Sequence, residues 1–185
     1  MNTLAFIITT LALLALAVFY AWYLNVYIST NLLNTVSYTS SLVSTALTHE
    51  FQNAITIASM GDVVGSFNYT LMLPTSAIPV QGMALTYTIT LYPAEKNNIL
   101  LLYANVTVTM TMGPLSRTVR NTILVYSSTQ PYEIQAYNCI NSKNSPVVLA
   151  DPSWLSQGLP NPPPECTWAS SEVQMGEAVI GISKG

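Results

Sequence analysis

Residues 4–28 read LAFIITTLALLALAVFYAWYLNVYI, a run in which apolar side chains are almost continuous. A membrane-spanning helix needs about 20 such residues, and this run is longer, so it can cross a bilayer. No Asp, Glu, Lys, Arg or His occurs before His49. The uncharged opening from Met1 to Thr48 therefore predicts a helix whose first half does not lie in water.

The opening also lacks two features of an ordinary secretory signal. No Lys or Arg precedes the apolar run, and no small-residue cleavage site follows a short apolar core, because the run continues through Trp22, Tyr23 and Tyr27. We interpret the chain as a mature form from which a basic leader before Met1 has been removed. An ordinary membrane-anchored protein is the alternative.

The helical pattern continues past the apolar run, because neither Pro nor Gly occurs before Gly61. Its Ser, Thr and Asn residues have weak helix propensity, so packing must hold this half of the helix. We predict one helix from about residue 3 to residue 59, about 85 Å long, with Gly61 and Asp62 as its stop signal. The apolar residues that recur at helical spacing in the second half are Leu32, Val36, Val43, Leu47, Phe51, Ala54 and Ala58.

From Val63 onward the hydrophobic period changes to two, which predicts strands with one buried face. Three runs alternate apolar and polar residues most clearly. Their apolar members are Leu85, Tyr87, Ile89 and Leu91; Phe67, Tyr69, Leu71 and Leu73; and Val106, Val108, Met110 and Met112. Further strands are predicted at Thr118–Tyr126, Glu133–Ile140 and Glu172–Ile182, with turns at Pro93–Asn98, Gly113–Pro114 and Ser127–Pro131.

About seven antiparallel strands in a domain of this length predict an immunoglobulin-like β-sandwich. The expected fold is therefore α+β, a long N-terminal hydrophobic helix followed by that sandwich. We place the helical region at residues 1–60 and an extracellular globular domain at residues 61–185.

The composition excludes several functions. Charged residues make up 7% of the 185 residues and the net charge is −3, so the chain has no basic surface for nucleic acid. His49 is the only histidine, and no phosphate loop, nucleophile motif or carboxylate pair appears. We therefore expect no enzymatic activity, no metal site and no cofactor. Arg117 and Arg120 are interpreted as solvated strand residues, with an anion site as the alternative.

Cys139 and Cys166 flank a segment rich in Pro and Gly that has little periodic structure of its own. A disulfide between them would contribute about 3 kcal/mol by restricting the unfolded chain. Two free thiols in a reducing compartment are the alternative. We predict the disulfide.

Two tripeptides that begin at Asn68 and Asn105 match the acceptor pattern for N-glycosylation. Both asparagines fall at outward positions of their predicted strands, where a sugar would not disturb the core. We predict that both carry glycans, and plain exposed asparagines are the alternative.

The chain is also rich in aromatic residues, with eleven tyrosines and three tryptophans. Exposed rings of this kind could bind sugars or solid surfaces. The other interpretation is core packing, together with a belt at a membrane interface formed by Tyr20, Trp22, Tyr23 and Tyr27. The sequence leaves both open for Tyr126, Tyr132, Tyr137, Trp154 and Trp168.

The layout of the chain, an uncharged hydrophobic helix that runs into an amphipathic half and then a β-domain, resembles the type IV pilins of archaea. Bacterial type IV pilins carry a glutamate at the fifth mature position, where this chain has Ala5. The resemblance implies a structural subunit, a major pilin, of an extracellular helical filament for adhesion and surface attachment. It also implies a prepilin peptidase and a pilus assembly machinery as partners, a membrane-inserted precursor, and a homopolymer at the cell surface.

In such a filament the N-terminal helices form the core, and small residues allow close packing between them. The residues expected in the polymerisation core are Leu4, Ile8, Leu11, Ala12, Ala15, Leu16, Phe19, Trp22, Leu32, Val36, Val43, Leu47 and Phe51. The second half of the helix is expected to present its apolar face to neighbouring helices.

Other functions are compatible with the same sequence. One alternative is a membrane-anchored monomer with an extracellular binding domain, which needs only a stalk after the membrane. A filament built by donor strands would need an alternating N-terminal strand, and this N-terminus is too uniformly apolar. A swimming filament of the archaellin kind and a minor tip subunit are further alternatives.

Overall fold

The computed structural model describes residues 2–60, 65–73, 83–142 and 145–183. Helix α1 spans Asn2–Ser59, which confirms the predicted continuous helix; its predicted stop signal, Gly61 and Asp62, lies outside the described residues. Threonine side chains along α1 donate hydrogen bonds to carbonyl oxygens one turn earlier, as Thr48 does to Ser44 at 3.0 Å. Such bonds satisfy hydroxyls that would otherwise compete with the helix.

Eight strands and two short helices follow α1 in the described residues. In chain order they are β1 Ser66–Thr70, β2 Met83–Lys96, β3 Ile99–Met112, β4 Leu115–Ser128, β5 Glu133–Tyr137, β6 Val147–Ala150, α2 Trp154–Gln157, β7 Cys166–Ala169, α3 Ser170–Gln174 and β8 Val179–Ser183. The strands form two four-stranded antiparallel sheets, so the α+β class with antiparallel sheets is confirmed. We call the sheet of order β4-β3-β2-β7 the long sheet and the sheet of order β1-β8-β5-β6 the short sheet.

The long sheet is built on two hairpins. The turn between β3 and β4 consists of Gly113 and Pro114, as predicted, with Gly113 at a φ of 55°. The turn between β2 and β3 consists only of Asn97 and Asn98, whose φ values of 54° and 61° suit a tight two-residue hairpin.

The predicted turn at Pro93–Asn98 therefore begins too early, because β2 continues to Lys96. Proline cannot donate a hydrogen bond to a sheet. It is tolerated here because β7 pairs with β2 only from Thr88 to Leu91 and does not reach Pro93.

The core follows the predicted alternation. Along β3 every second side chain from Leu100 to Met110 is buried, and the residues between them are only half-buried. Burial is almost complete for Trp168 of β7 and Tyr87 of β2. The predicted apolar sets are thus largely confirmed, although Phe67, Tyr69, Leu85 and Met112 are half-buried rather than buried.

The last predicted strand, Glu172–Ile182, is wrong in its first part. Residues Ser170–Gln174 form helix α3, and only Val179–Ser183 form a strand. The Glu172 carboxylate accepts a hydrogen bond from the Ala169 backbone N–H at 2.7 Å, which favours a helix start. The predicted strand at Glu133–Ile140 likewise ends earlier, at Tyr137.

The chain divides into two compact units, Met1–Thr35 and Val36–Gly185. We call the second one the β unit. It contains both sheets and the part of α1 from Val36 to Ser59, so the second half of the helix belongs to the same packed body as the strands.

Candidate assembly surface

The first half of α1 carries apolar side chains on all sides, and they are exposed. From Leu4 to Tyr27, which we call the apolar segment, the large hydrophobic side chains range from 36% exposed at Leu24 to 70% at Phe6. The expected core residues in this segment are all exposed: Leu4, Ile8, Leu11, Ala12, Ala15, Leu16, Phe19 and Trp22. Among the described residues one helix, Thr3–Ser59, is long and apolar enough to cross a membrane, and 0% of its most apolar window is buried.

Two polar groups of this segment, the hydroxyls of Thr9 and Thr10, are suited to surroundings without water. Thr10 donates its hydroxyl hydrogen to the Phe6 carbonyl at 2.8 Å, and Thr9 donates to the Ala5 carbonyl at 3.0 Å. A polar group buried without a partner costs free energy, and these bonds reduce that cost. The two threonine hydroxyls of the segment are therefore satisfied within the helix itself.

The second half of α1 behaves differently from the expectation. Val36, Leu47 and Phe51 are 0% exposed and Val43 is 1% exposed within the single chain. This apolar face is therefore already covered, and it does not face neighbouring helices as expected. Leu32 is also buried, at 2% exposed. On the opposite side of the helix, Tyr38 and Leu42 are exposed, at 68% and 45%.

Two hydrogen bonds identify what the second half of α1 contacts. Asn121 of β4 donates to Ser44 at 3.0 Å, and Tyr69 of β1 donates to the Glu50 carboxylate at 2.8 Å. Because β4 and β1 are edge strands of the two sheets, the helix bridges one edge of each. Burial, then the hydrogen bond and negative charge of Glu50, raise the pKa of the Tyr69 hydroxyl, so this link stays protonated beyond the usual range of tyrosine.

A groove lies between this part of α1 and β4, and sequence reasoning missed it. Its volume is about 530 Å³, and its lining residues are Thr48, Gln52, Ile55, Thr56, Leu124, Val125, Tyr126 and Ser127. Leu124 is 45% exposed although it is apolar. One feature of the sequence could have pointed to Leu124. It follows Thr118, Arg120 and Thr122 at alternate positions of the strand, so a fourth polar residue would be expected there.

Cys139 and Cys166 form the predicted disulfide, with their Cα atoms 5.2 Å apart. Cys139 lies shortly after the end of β5 and Cys166 is the first residue of β7, so the disulfide links the short sheet to the long one. The Trp168 indole N–H reinforces this link by donating to the Tyr137 carbonyl at 2.8 Å. A disulfide is typical of proteins outside the cytosol.

The two glycosylation acceptors differ in their surroundings. Asn68 is exposed on β1. Asn105 is half-buried on the outward side of β3, between the buried Ala104 and Val106, and its side-chain oxygen accepts a hydrogen bond from the Thr122 hydroxyl. Both positions point away from the core as expected, and glycan attachment remains a prediction.

The other candidate residues are placed as follows. His49 is exposed on α1, and Arg117 and Arg120 are exposed on β4. No group of three His, Cys, Asp or Glu side chains among the described residues could hold a metal ion. Of the aromatic residues left open by the sequence, Trp168 and Tyr126 are buried, whereas Tyr132, Tyr137 and Trp154 are half-buried.

The chain was compared with protein-family models, with curated proteins and with solved structures, and none of them matches it.

Proposed function

We propose that this chain is the structural subunit, a major pilin, of an extracellular filament of the type IV pilus kind, used for adhesion and surface attachment. The observation that carries the proposal is the apolar segment, Leu4 to Tyr27, which is exposed on every side in the single chain. Soluble monomers rarely leave an apolar surface of this size uncovered. The segment must therefore be covered by lipid, by copies of itself, or by each in turn.

The physics of the segment suits both surroundings. Lipid tails and leucine side chains are equally apolar, so transfer from a bilayer to a bundle of identical helices involves little hydrophobic gain or loss. Close packing then decides stability, and small residues such as Ala12 and Ala15 allow helices to approach each other. A membrane-inserted precursor that later polymerises is consistent with this balance.

The alternative is a membrane-anchored monomer with an extracellular binding domain. The buried face of the second half of α1 does not discriminate between the two functions, because the β unit uses that face itself. Two other features favour the polymer. The helix stays uncharged to Thr48, well beyond the roughly 20 residues that a bilayer requires, and Tyr38 and Leu42 remain exposed on its outer side.

Location outside the cell is part of the proposal. The disulfide between Cys139 and Cys166 supports it. The exposed acceptor at Asn68 is consistent with it. Homopolymer contacts, a prepilin peptidase and an assembly machinery remain proposals that rest on the resemblance to archaeal pilins.

We also propose that the two sheets pack face to face as a sandwich of the immunoglobulin-like kind. The regular inward burial along β3 supports this, as does the position of β6 against β2 and β3. A density map of the assembled protein, with the strands traced independently, tests this arrangement. Sheets that do not share one core would contradict it.

The direct test is electron microscopy of material sheared from cells that produce the chain. We expect thin filaments in which mass spectrometry detects this chain, and N-terminal peptide sequencing then reports where the mature chain begins. If the chain stays in the membrane fraction as a monomer and the sheared material contains none of it, the anchored-receptor alternative is correct.

The variant Ala12→Asp tests the role of the helix. A carboxylate in the middle of the apolar segment is costly in lipid and in a helix bundle, whereas the β unit contains no part of that segment. We expect a folded β unit with its disulfide intact and at least a tenfold loss of filaments by quantitative microscopy. Filaments at normal abundance would refute the role given to the segment.

A further inference from the structure

The groove between α1 and β4 combines three properties that bear on what it could bind. It is concave, with a volume of about 530 Å³. None of its lining residues carries a formal charge; they are Thr48, Gln52, Ile55 and Thr56 on α1 and Leu124, Val125, Tyr126 and Ser127 on β4. It also contains an exposed leucine, Leu124.

The groove carries no charge and offers apolar side chains, so an uncharged occupant with apolar side chains fits it. Every copy of the chain carries a ligand of that kind, because the apolar segment has no Asp, Glu, His, Lys or Arg and its large hydrophobic side chains are exposed. A charged or strongly polar partner would gain nothing from Leu124 or Ile55. The chemistry of the two surfaces therefore matches, each being without charge and each holding apolar groups open to a partner.

Four of the eight lining residues are polar, and one of them, Gln52, suits this occupant. The apolar segment contains one amide side chain, Asn25, and an amide removed from water needs a hydrogen-bond partner. Gln52, exposed at the groove, presents an amide that can bond to it. Polar side chains of this type act between helices in apolar surroundings.

We propose that this groove receives the apolar segment of a second copy of the chain, so that each subunit contributes one helix and one groove to the filament. The inference rests on the proposed function and adds a contact on the β unit that the periodicity of the helix does not reveal. Assembly then requires Leu124 and Ile55 as well as the first half of α1.

Cross-linking between copies tests the contact. The sequence contains two cysteines, and they are joined to each other, so an added cysteine supplies the only free thiol. Chains with Leu124→Cys are co-produced with chains carrying Phe19→Cys, Trp22→Cys or Val26→Cys, and purified filaments are treated with a short bismaleimide. We expect a mixed dimer for at least one pairing. The matched control is Met175→Cys, which is also exposed but lies outside the groove, and it should give none.

A second variant measures the effect on assembly. Leu124→Asp places a charge in the groove, and we expect at least a tenfold loss of filaments, whereas Met175→Asp should leave them at the wild-type level. A cooperative thermal transition and an intact disulfide establish that both variants fold. If Leu124→Asp misfolds, the cross-linking result decides the question alone.

The outcomes separate the two proposals. The groove contact is overturned if filaments form but give no cross-link from the groove. It is also overturned if a folded Leu124→Asp chain assembles at the wild-type level. Both results leave the filament function standing. A cross-link from Leu124 to a lipid-anchored foreign protein instead of a second copy also overturns the contact. A wild-type chain that never forms filaments overturns both proposals.

Discussion

At the scale of single residues, two buried serines on α1 differ in their hydrogen bonding. Ser44 accepts a bond from Asn121 at 3.0 Å, whereas the Ser40 hydroxyl oxygen has no partner among the described residues. Ser44→Ala removes the bond to the half-buried Asn121 amide and should lower the free energy of unfolding by about 0.5–1.5 kcal/mol. Ser40→Ala removes a hydroxyl without a bond and should leave that free energy unchanged or raise it. Denaturant unfolding in detergent measures both.

The two serine variants control for each other, because both replace a buried serine by alanine on one face of the same helix. Any general gain in helix propensity is shared by both. Equal changes in the free energy of unfolding would therefore contradict the role assigned to the Ser44–Asn121 bond.

Two tyrosines make stability depend on alkaline pH. Burial raises the pKa of Tyr87 to about 12, and burial together with Glu50 raises the pKa of Tyr69. Unfolded tyrosines titrate near pH 10, so the folded chain holds these protons more tightly, and stability is full below about pH 10 and falls as the pH rises. Tyr87→Phe should remove the part of that fall that comes from Tyr87, on the order of 2 kcal/mol. Unfolding measured from pH 9 to 12 tests this, and an unchanged slope in the variant would contradict it.

At the scale of elements, the sequence predicts well where two independent signals agree. Helix α1 was predictable because an apolar run, helical spacing and the absence of Pro and Gly coincide over Asn2–Ser59. Strands β2 and β3 were predictable from alternation, but the end of β2 was not, because Pro93 reads as a turn signal unless the reach of β7 is known. Helix α3 depends on one capping carboxylate, Glu172, which alternation does not reveal.

The candidate site was predictable only in its first half. An apolar stripe on a helix has the same spacing whether its partner is a neighbouring helix or a sheet of the same chain. Val43 and Leu47 therefore suggested contacts between subunits, although the β unit buries them itself. The groove at Leu124 could not be predicted either, because it depends on how β4 lies beside α1 in three dimensions.

At the scale of the whole molecule, a chain that begins at Ile28 should be a soluble monomer with its disulfide formed and one cooperative unfolding transition. The reason is that the removed residues include the whole apolar segment, whose large side chains are exposed, whereas the β unit keeps its core. Sedimentation velocity and calorimetry measure this. Leu47→Ala in the same truncated chain is the comparison, because Leu47 is 0% exposed and its loss should cost about 2–5 kcal/mol. The truncated chain could instead aggregate, or show no cooperative transition whose midpoint Leu47→Ala could lower. Either result would mean that the apolar segment also stabilises the fold, and would contradict a role limited to contact with lipid or with other copies.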